Sequence, residues 1–250
     1  MTLRPGSRRV ALVTGVGRAG ALGFEICRQL ADRGLTVYLT ARRRETSAEL
    51  ADRLRAEQQA WDVRAAALDV TDASAVTGLA HHLEQAHGKL DVLINNAAGV
   101  APHGEVTEKA DLAVARDVLE VTLFGAWRMS QAFLPLLRRS GAGRLVNVSS
   151  GAGSHGDPAF GLATDNAMGP SYAVAKAALN ALTVKLAREE RGTGILVNAV
   201  CPGFTATFPG AEAMGARPIP EGAAGIVWAA LLPDTGPTGG FFRDARPIPW

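Results

Sequence analysis

The chain has 250 residues, 47% of them hydrophobic and 20% charged, so it can bury a large core and is not disordered. A formal charge of only +2, with acids and bases interspersed, leaves no basic stripe for nucleic acid. No apolar run approaches the roughly 18 residues of a bilayer-spanning helix, and the basic segment 1–9 leads into the short run Val10–Val13, not a signal-type stretch.

Short β-branched runs alternate with longer helical patterns along the chain. Strands are expected at Val10–Val13, Thr36–Thr40, Val63–Leu68, Val92–Ile94, Arg144–Val148, Ile195–Val200 and Gly240–Phe242. Helices are expected at Gly23–Arg33, Ser47–Gln59, Ala73–Gln85, Leu112–Leu137, Ser171–Glu190 and Glu221–Ala230. Runs such as Val92-Leu93-Ile94 are continuously apolar, which suits strands covered on both faces. The alternation therefore predicts an α/β fold: a doubly wound parallel sheet of about seven strands flanked by helices. No linker or composition shift divides residues 1–250, so a single domain is expected. Two Gly/Pro-rich stretches, Gly151–Pro170 and Pro202–Pro220, read as loops over a site. Cys27 and Cys201 make no disulfide framework, so a reduced, cytoplasmic setting is expected, with Cys201 a small buried hydrophobe.

The first strand runs into Thr14-Gly15-Val16-Gly17-Arg18-Ala19-Gly20-Ala21-Leu22-Gly23, and a helix follows. Glycines there permit a tight turn and the approach of a pyrophosphate to a helix N-terminus, where free N–H groups and the dipole favour anions. Later blocks fall in a set order: Asp69-Val70, Asn95-Asn96-Ala97-Ala98-Gly99, Ser149-Ser150-Gly151, Tyr172-Ala173-Val174-Ala175-Lys176 and Pro202-Gly203. With these blocks the sequence resembles the short-chain dehydrogenase/reductase family, whose Rossmann-type fold the element pattern already suggests. The tail Gly236–Trp250 is similar to that of carbonyl-reductase-like members.

Tyr172 and Lys176 stand four apart and share one helix face. A phenol has an ordinary pKa near 10 and exchanges protons poorly at neutral pH, so a nearby ammonium is expected to lower it. Such a Tyr protonates a carbonyl oxygen as hydride arrives, or takes the proton in reverse, while Ser150 donates to the same oxygen. The resemblance adds that Lys176 holds the nicotinamide ribose. It also places Asp69 beside the adenine, Val70 at the ring edge, Asn96 at the adenosine ribose and Thr207 at the carboxamide. Pro202, Gly203 and Thr205 belong to the same cofactor loop.

Charge predicts the cofactor. Thr40-Ala41-Arg42-Arg43-Arg44 has no acid for a free ribose, and Arg42 with Arg18 supplies guanidinium donors for a 2′-phosphate, so NADP(H) is expected. Arg43 and Arg44 read as a solvated run.

Three departures from the family stand out. The family's first turn reads Thr-Gly-x-x-x-Gly-x-Gly; matching its last Gly to Gly23 leaves extra residues in the turn. Thr122 occupies the position of a family Asn that supports a water relay to the Lys, so it is taken with Ser150, Tyr172 and Lys176 as a catalytic candidate. Finally, Tyr172 follows Ser150 by 22 positions, a longer gap than usual. The extra loop, His155 through Asn166, is expected to shape the substrate pocket together with Phe204 and Phe208; Trp250 is a further candidate wall and Trp127 a core residue. His81, His82 and His87 lack the same-face spacing of a zinc site, and no metal is expected.

The sequence thus predicts NADP(H)-dependent interconversion of a small-molecule carbonyl and an alcohol, with no nucleic-acid or membrane partner. The resemblance implies a homodimer or homotetramer built on the helices near Leu112–Leu137 and Ser171–Glu190. Alternatives are reduction of a C=N bond with the same cofactor, or a dinucleotide-binding scaffold without chemistry.

Overall fold

The computed structural model describes residues 8–164 and 168–250; Asn166 of the long loop lies outside them. One sheet runs in the order β3-β2-β1-β4-β5-β6-β7-β8. Its strands are β1 (Val10–Val13), β2 (Thr36–Ala41), β3 (Val63–Ala67), β4 (Val92–Asn95), β5 (Arg144–Val148), β6 (Leu196–Val200), β7 (Phe241–Arg243) and β8 (Arg246–Pro247). β1 through β7 pair in parallel, as the apolar runs predict, and β8 turns back antiparallel on β7. That eighth strand is too short to read from sequence, and its turn uses two non-glycine residues at positive φ, Asp244 (53°) and Ala245 (58°).

Helices α1 (Leu22–Asp32), α2 (Arg44–Glu57), α3 (Ala73–His87), α4 (Leu112–Leu119), α5 (Ala126–Ser140), α6 (Pro170–Glu189) and α7 (Ile219–Ala230) cover the two faces. Alternation along each strand divides the core. Ala11, Val13, Val92, Ile94, Val146 and Val148 pack in one layer with Ile26, Leu30, Leu50, Leu54, Ile226 and Val227 from α1, α2 and α7. Val10, Leu12, Leu93 and Leu145 pack on the other face with Leu79, Leu83, Met129, Phe133, Leu179 and Leu182 from α3, α5 and α6. The central strands β1 and β4 are fully buried because both faces meet helices, whereas the edge strand β3 is largely exposed.

One expected helix, Leu112–Leu137, is interrupted. A π-helical segment, Glu120–Gly125, separates α4 from α5. The fully buried Thr122 lies inside it, and its Oγ1 accepts from the Gly99 N–H at 2.9 Å. Insertions of this kind re-register a helix and recur at functional sites. Past the break Trp127 is 42% exposed, so it is a surface residue and not the core residue expected.

Thr122→Val is expected to leave the Gly99 N–H without its acceptor and to cost about 1–3 kcal/mol in urea unfolding, with Thr122→Ser losing less. Equal stability of the Val variant and wild type would show that the hydroxyl does not hold this junction.

Candidate active site

Chain order reverses around β1: successive strands β1, β2 and β3 proceed one way, whereas β4 to β7 lie on the other side. In open parallel sheets the crevice above such a switch point receives ligands. The Gly-rich turn sits there. Gly15 takes φ +71°, and a Cβ on it would lie 2.6 Å from Ala97 Cα, so the turn needs glycine. Thr14 Oγ1 accepts from the Asn96 and Ala97 N–H groups (3.0 and 3.1 Å), and Asn96 Nδ2 donates to the Thr14 carbonyl at 2.8 Å. Asn96 therefore braces the turn itself. Ala21, the N-cap of α1, provides no side-chain acceptor, so the first N–H groups of that helix are not capped by their own N-cap residue. Gly17 and Gly20 have open space around them, while Gly23 packs beside the Asn96 amide. This cradle fits a dinucleotide pyrophosphate.

Beside it, Asp69 accepts from the Thr71 N–H (2.9 Å) and hydroxyl (2.7 Å); these bonds, aided by the fields of Arg42 and Arg128, hold its carboxyl below the ordinary range. Val70 is buried, and its carbonyl accepts from Arg128. Arg42 is exposed and makes no hydrogen bond or ion pair among the described residues, whereas Arg43 bonds Thr46. Arg18 is placed differently from expectation. Its guanidinium donates to the Thr207 carbonyl across the crevice, so it ties the Gly-rich turn to the loop after β6 and does not join Arg42.

Ser150 and Tyr172 meet where β5 ends and α6 begins. Pro170 opens α6 in a first-turn position that needs no N–H. Glu105 Oε2 accepts from both the N–H (2.9 Å) and the hydroxyl (2.7 Å) of Ser171, capping the helix one residue before Tyr172. No local pattern announced that residue, which lies 66 positions away. Ser149, as expected, is structural: its hydroxyl donates to Asn180 Oδ1 at 2.5 Å. Lys176 is 2% exposed and donates from Nζ to the Val148 carbonyl at 2.7 Å, with Nζ 5.4 Å from the Tyr172 ring centroid.

Burial changes the expected electrostatics. It pushes the Tyr172 phenol up to about 12, against a smaller downward pull from its hydrogen bond with Ser150. The same burial pulls the Lys176 ammonium down to about 8. The Tyr172 phenol is therefore not lowered by the ammonium, because Lys176 points at a backbone carbonyl and desolvation dominates. What the chain holds is a neutral phenol, a proton donor, touching Ser150.

The loop residues divide. Thr205 is buried and donates to the Pro202 carbonyl at 3.1 Å; Gly203 takes φ +74° beneath the Arg217 guanidinium; the Thr207 N–H donates to the Thr205 carbonyl at 2.7 Å. Phe204 and Phe208 are in ring contact at 6.4 Å, with Phe208 half exposed. His155 has an exposed side chain, and its N–H donates to the Trp250 carbonyl, while Trp250 stacks on Phe241. Cys201 is buried as expected, but its sulfur is a multiple acceptor, a role that its residue type did not announce. Among the described residues no cluster of potential metal ligands occurs, and no helix is long and apolar enough to cross a membrane.

The depressed Lys176 value has a consequence for stability. Between pH 8 and the ordinary lysine value of 10.5 the unfolded chain binds more protons than the folded one, so folding is penalised below pH 8 and relieved as pH rises to 10.5. Wild type is expected to gain roughly 3 kcal/mol at most relative to Lys176→Met across that window in denaturant titrations. A constant difference between the two proteins would mean that Lys176 is not shifted.

A profile of the short chain dehydrogenase family matches residues 9–215. The (+)-neomenthol dehydrogenase of Arabidopsis thaliana is 33% identical, with 94% of this chain and 95% of that protein covered. A metagenomic short-chain oxidoreductase solved in complex with NADP superposes with a TM-score of 0.76 at 28% identity, covering 94% and 96% of the two chains. A variant of the actinorhodin polyketide ketoreductase solved with NADPH gives 0.79 at 26% identity, covering 94% and 95%. Matched along most of its length by profile, sequence and structure, the chain belongs to the short-chain dehydrogenase family.

Proposed function

We propose that this protein transfers hydride between NADP(H) and a small-molecule carbonyl/alcohol pair. The observation that carries the reading is the Ser150–Tyr172 contact at the mouth of the switch-point crevice, with Lys176 buried beside it. Solved relatives bound to NADP and NADPH support the cofactor, and Arg42, just past β2 and without a hydrogen bond or ion pair among the described residues, suits a 2′-phosphate.

Bound NADPH supplies the hydride. Ser150 donates to the carbonyl oxygen, a bond that strengthens as negative charge develops. Tyr172 delivers its proton to that oxygen; a phenol raised by burial stays protonated at neutral pH yet remains far more acidic than the alcohol it forms. Lys176 orients the ribose and, with a value near 8, passes a proton back toward Tyr172. Asp69, Val70 and Asn96 line the adenosine end, and Gly15, Gly17 and Gly23 with the start of α1 hold the pyrophosphate. Pro202, Gly203, Thr205 and Thr207 close over the nicotinamide, while His155, Phe204 and Phe208 border the substrate. Thr122 acts at one remove, by fixing the Asn95–Gly99 loop.

We infer further that the protein forms a homodimer or homotetramer. Leu112, Phe124 and Trp127 on the α4–α5 line and Val174 and Val184 on α6 are all more than 40% exposed, an apolar density that a monomer seldom leaves to water. Light scattering that gives a monomer mass at micromolar concentration would refute this. A cytoplasmic location accords with two reduced, buried cysteines.

Tyr172→Phe is expected to lower turnover by roughly two to four orders of magnitude while NADPH still binds, measured by NADPH absorbance against a panel of ketones and aldehydes. Near-normal turnover would remove Tyr172 as the proton donor. Arg42→Asp should reverse or erase the preference for NADPH over NADH in kcat/KM, since an acid repels the phosphate and accepts from a free ribose. An unmoved ratio would leave Arg42 as a solvated charge.

A further inference from the structure

Three neighbouring strands, β5, β6 and β7, end side by side beneath the Ser150 turn. Their ends are stitched by side chains that the reaction scheme does not use. The Cys201 sulfur, just past β6, accepts from the N–H of Gly151 (3.2 Å), the N–H of Gly203 (3.3 Å) and Nε and Nη2 of Arg243 on β7 (3.4 and 3.5 Å). The same Arg243 Nη2 forms an ion pair with Asp157, whose side chain is 1% exposed. Asp157 is the hub of the extra loop: its Oδ1 accepts from the Ala159 and Phe160 N–H groups, and the Arg243 guanidinium lies 5.6 Å from the Phe160 ring centroid.

This pair is pressed against the residue that follows Ser150. A Cβ on Gly151 would collide with the Asp157 carboxylate and lie 2.6 Å from Arg243 Nη2. Gly151 and Ser150 are thus held from behind, by the sulfur at one atom and by the ion pair at another. A buried carboxylate that loses its partner is strongly unfavourable, so this brace has one low-energy arrangement.

We propose that Arg243 is a positioning residue for Ser150, acting through Cys201 and Asp157 to fix the Ser150 hydroxyl where it meets the substrate oxygen. The proposal rests on the reading that Ser150 donates to that oxygen. It also gives the longer Ser150–Tyr172 segment a purpose: the insertion brings in Asp157, the carboxylate that locks the Ser150 turn to β7.

The test is a cycle of Arg243→Met, Ser150→Ala and the double variant, each assayed with NADPH and a ketone that wild type reduces. Arg243→Met should lower kcat about tenfold, as small misplacements of catalytic groups do, while NADPH affinity by fluorescence titration changes little; the melting midpoint falls because Asp157 loses its partner, so kcat is compared well below it. In the Ser150→Ala background Arg243→Met should cost almost nothing further, because the group it positions is gone. Arg243→Lys should recover part of the loss, since an ammonium can pair with Asp157 but cannot also bridge to the sulfur. If Arg243→Met fails to fold, Cys201→Ala enters the same cycle; it keeps the ion pair and removes only the sulfur acceptor. An undiminished kcat in the single variant, or a full additional loss in the Ser150→Ala background, overturns the proposal. Wild-type turnover in Ser150→Ala alone would overturn the Ser150 reading, and the proposal with it.

Discussion

A lysine ammonium 2% exposed needs a compensating acceptor, and Lys176 finds it in the Val148 carbonyl, the last of β5, at 2.7 Å. Hydrogen bonds to charged groups contribute about 1.5–3 kcal/mol, and an unpaired buried charge costs more than that. The bond therefore fixes both the rotation and the height of α6 on the sheet. One turn earlier on the same helix face, Tyr172 is carried to Ser150, two residues past Val148. The seat is reinforced on either side: Asn180 bridges the Ser149 hydroxyl and the Gly153 carbonyl, and Gly153 lacks the Cβ that would strike the α6 backbone. Moving α6 by a fraction of an ångström would break several of these contacts together.

The same burial that demands this seat sets the proton chemistry. It raises the phenol to about 12 and lowers the ammonium to about 8, so two values that ordinarily lie close together move apart. A proton therefore passes downhill from the Lys176 ammonium to a Tyr172 phenolate, the direction that restores the donor after a reduction. Desolvation is the largest cause of both shifts, and no attraction between the two groups enters either. In the proposed carbonyl reduction the phenol starts protonated, which is the form the reaction consumes.

The parts of this arrangement that depend on local pattern were legible in the sequence. Doubly covered strands appear as unbroken apolar runs, the turn after β1 as glycines before a helix, and the Tyr172–Lys176 face as a spacing of four. Thr122 and the long segment after Ser150 stood out as irregularities, and each has a structural counterpart, the π-helical break and the Asp157 hub. What could not be read depends on partners far apart in the chain. Arg18 meets Thr207 across 189 positions, Arg243 meets Asp157 across 86, and Glu105 meets Ser171 across 66. None leaves a periodic trace. The helix break was hidden because the residues around it carry ordinary helical propensity, and only the Gly99 N–H, delivered from the β4 loop, shows why Thr122 sits there.

The central claim is that hydride passes from NADPH to a carbonyl carbon held by Ser150 and Tyr172. Its most direct measurement uses NADPH deuterated at C4 in each of the two stereochemical positions, with the alcohol product analysed by mass spectrometry and NMR. The account predicts deuterium at the new carbinol carbon from one of the two labelled cofactors and not from the other. NADPH that binds tightly yet delivers deuterium to no ketone or aldehyde in the panel, or only to an added imine, would contradict it.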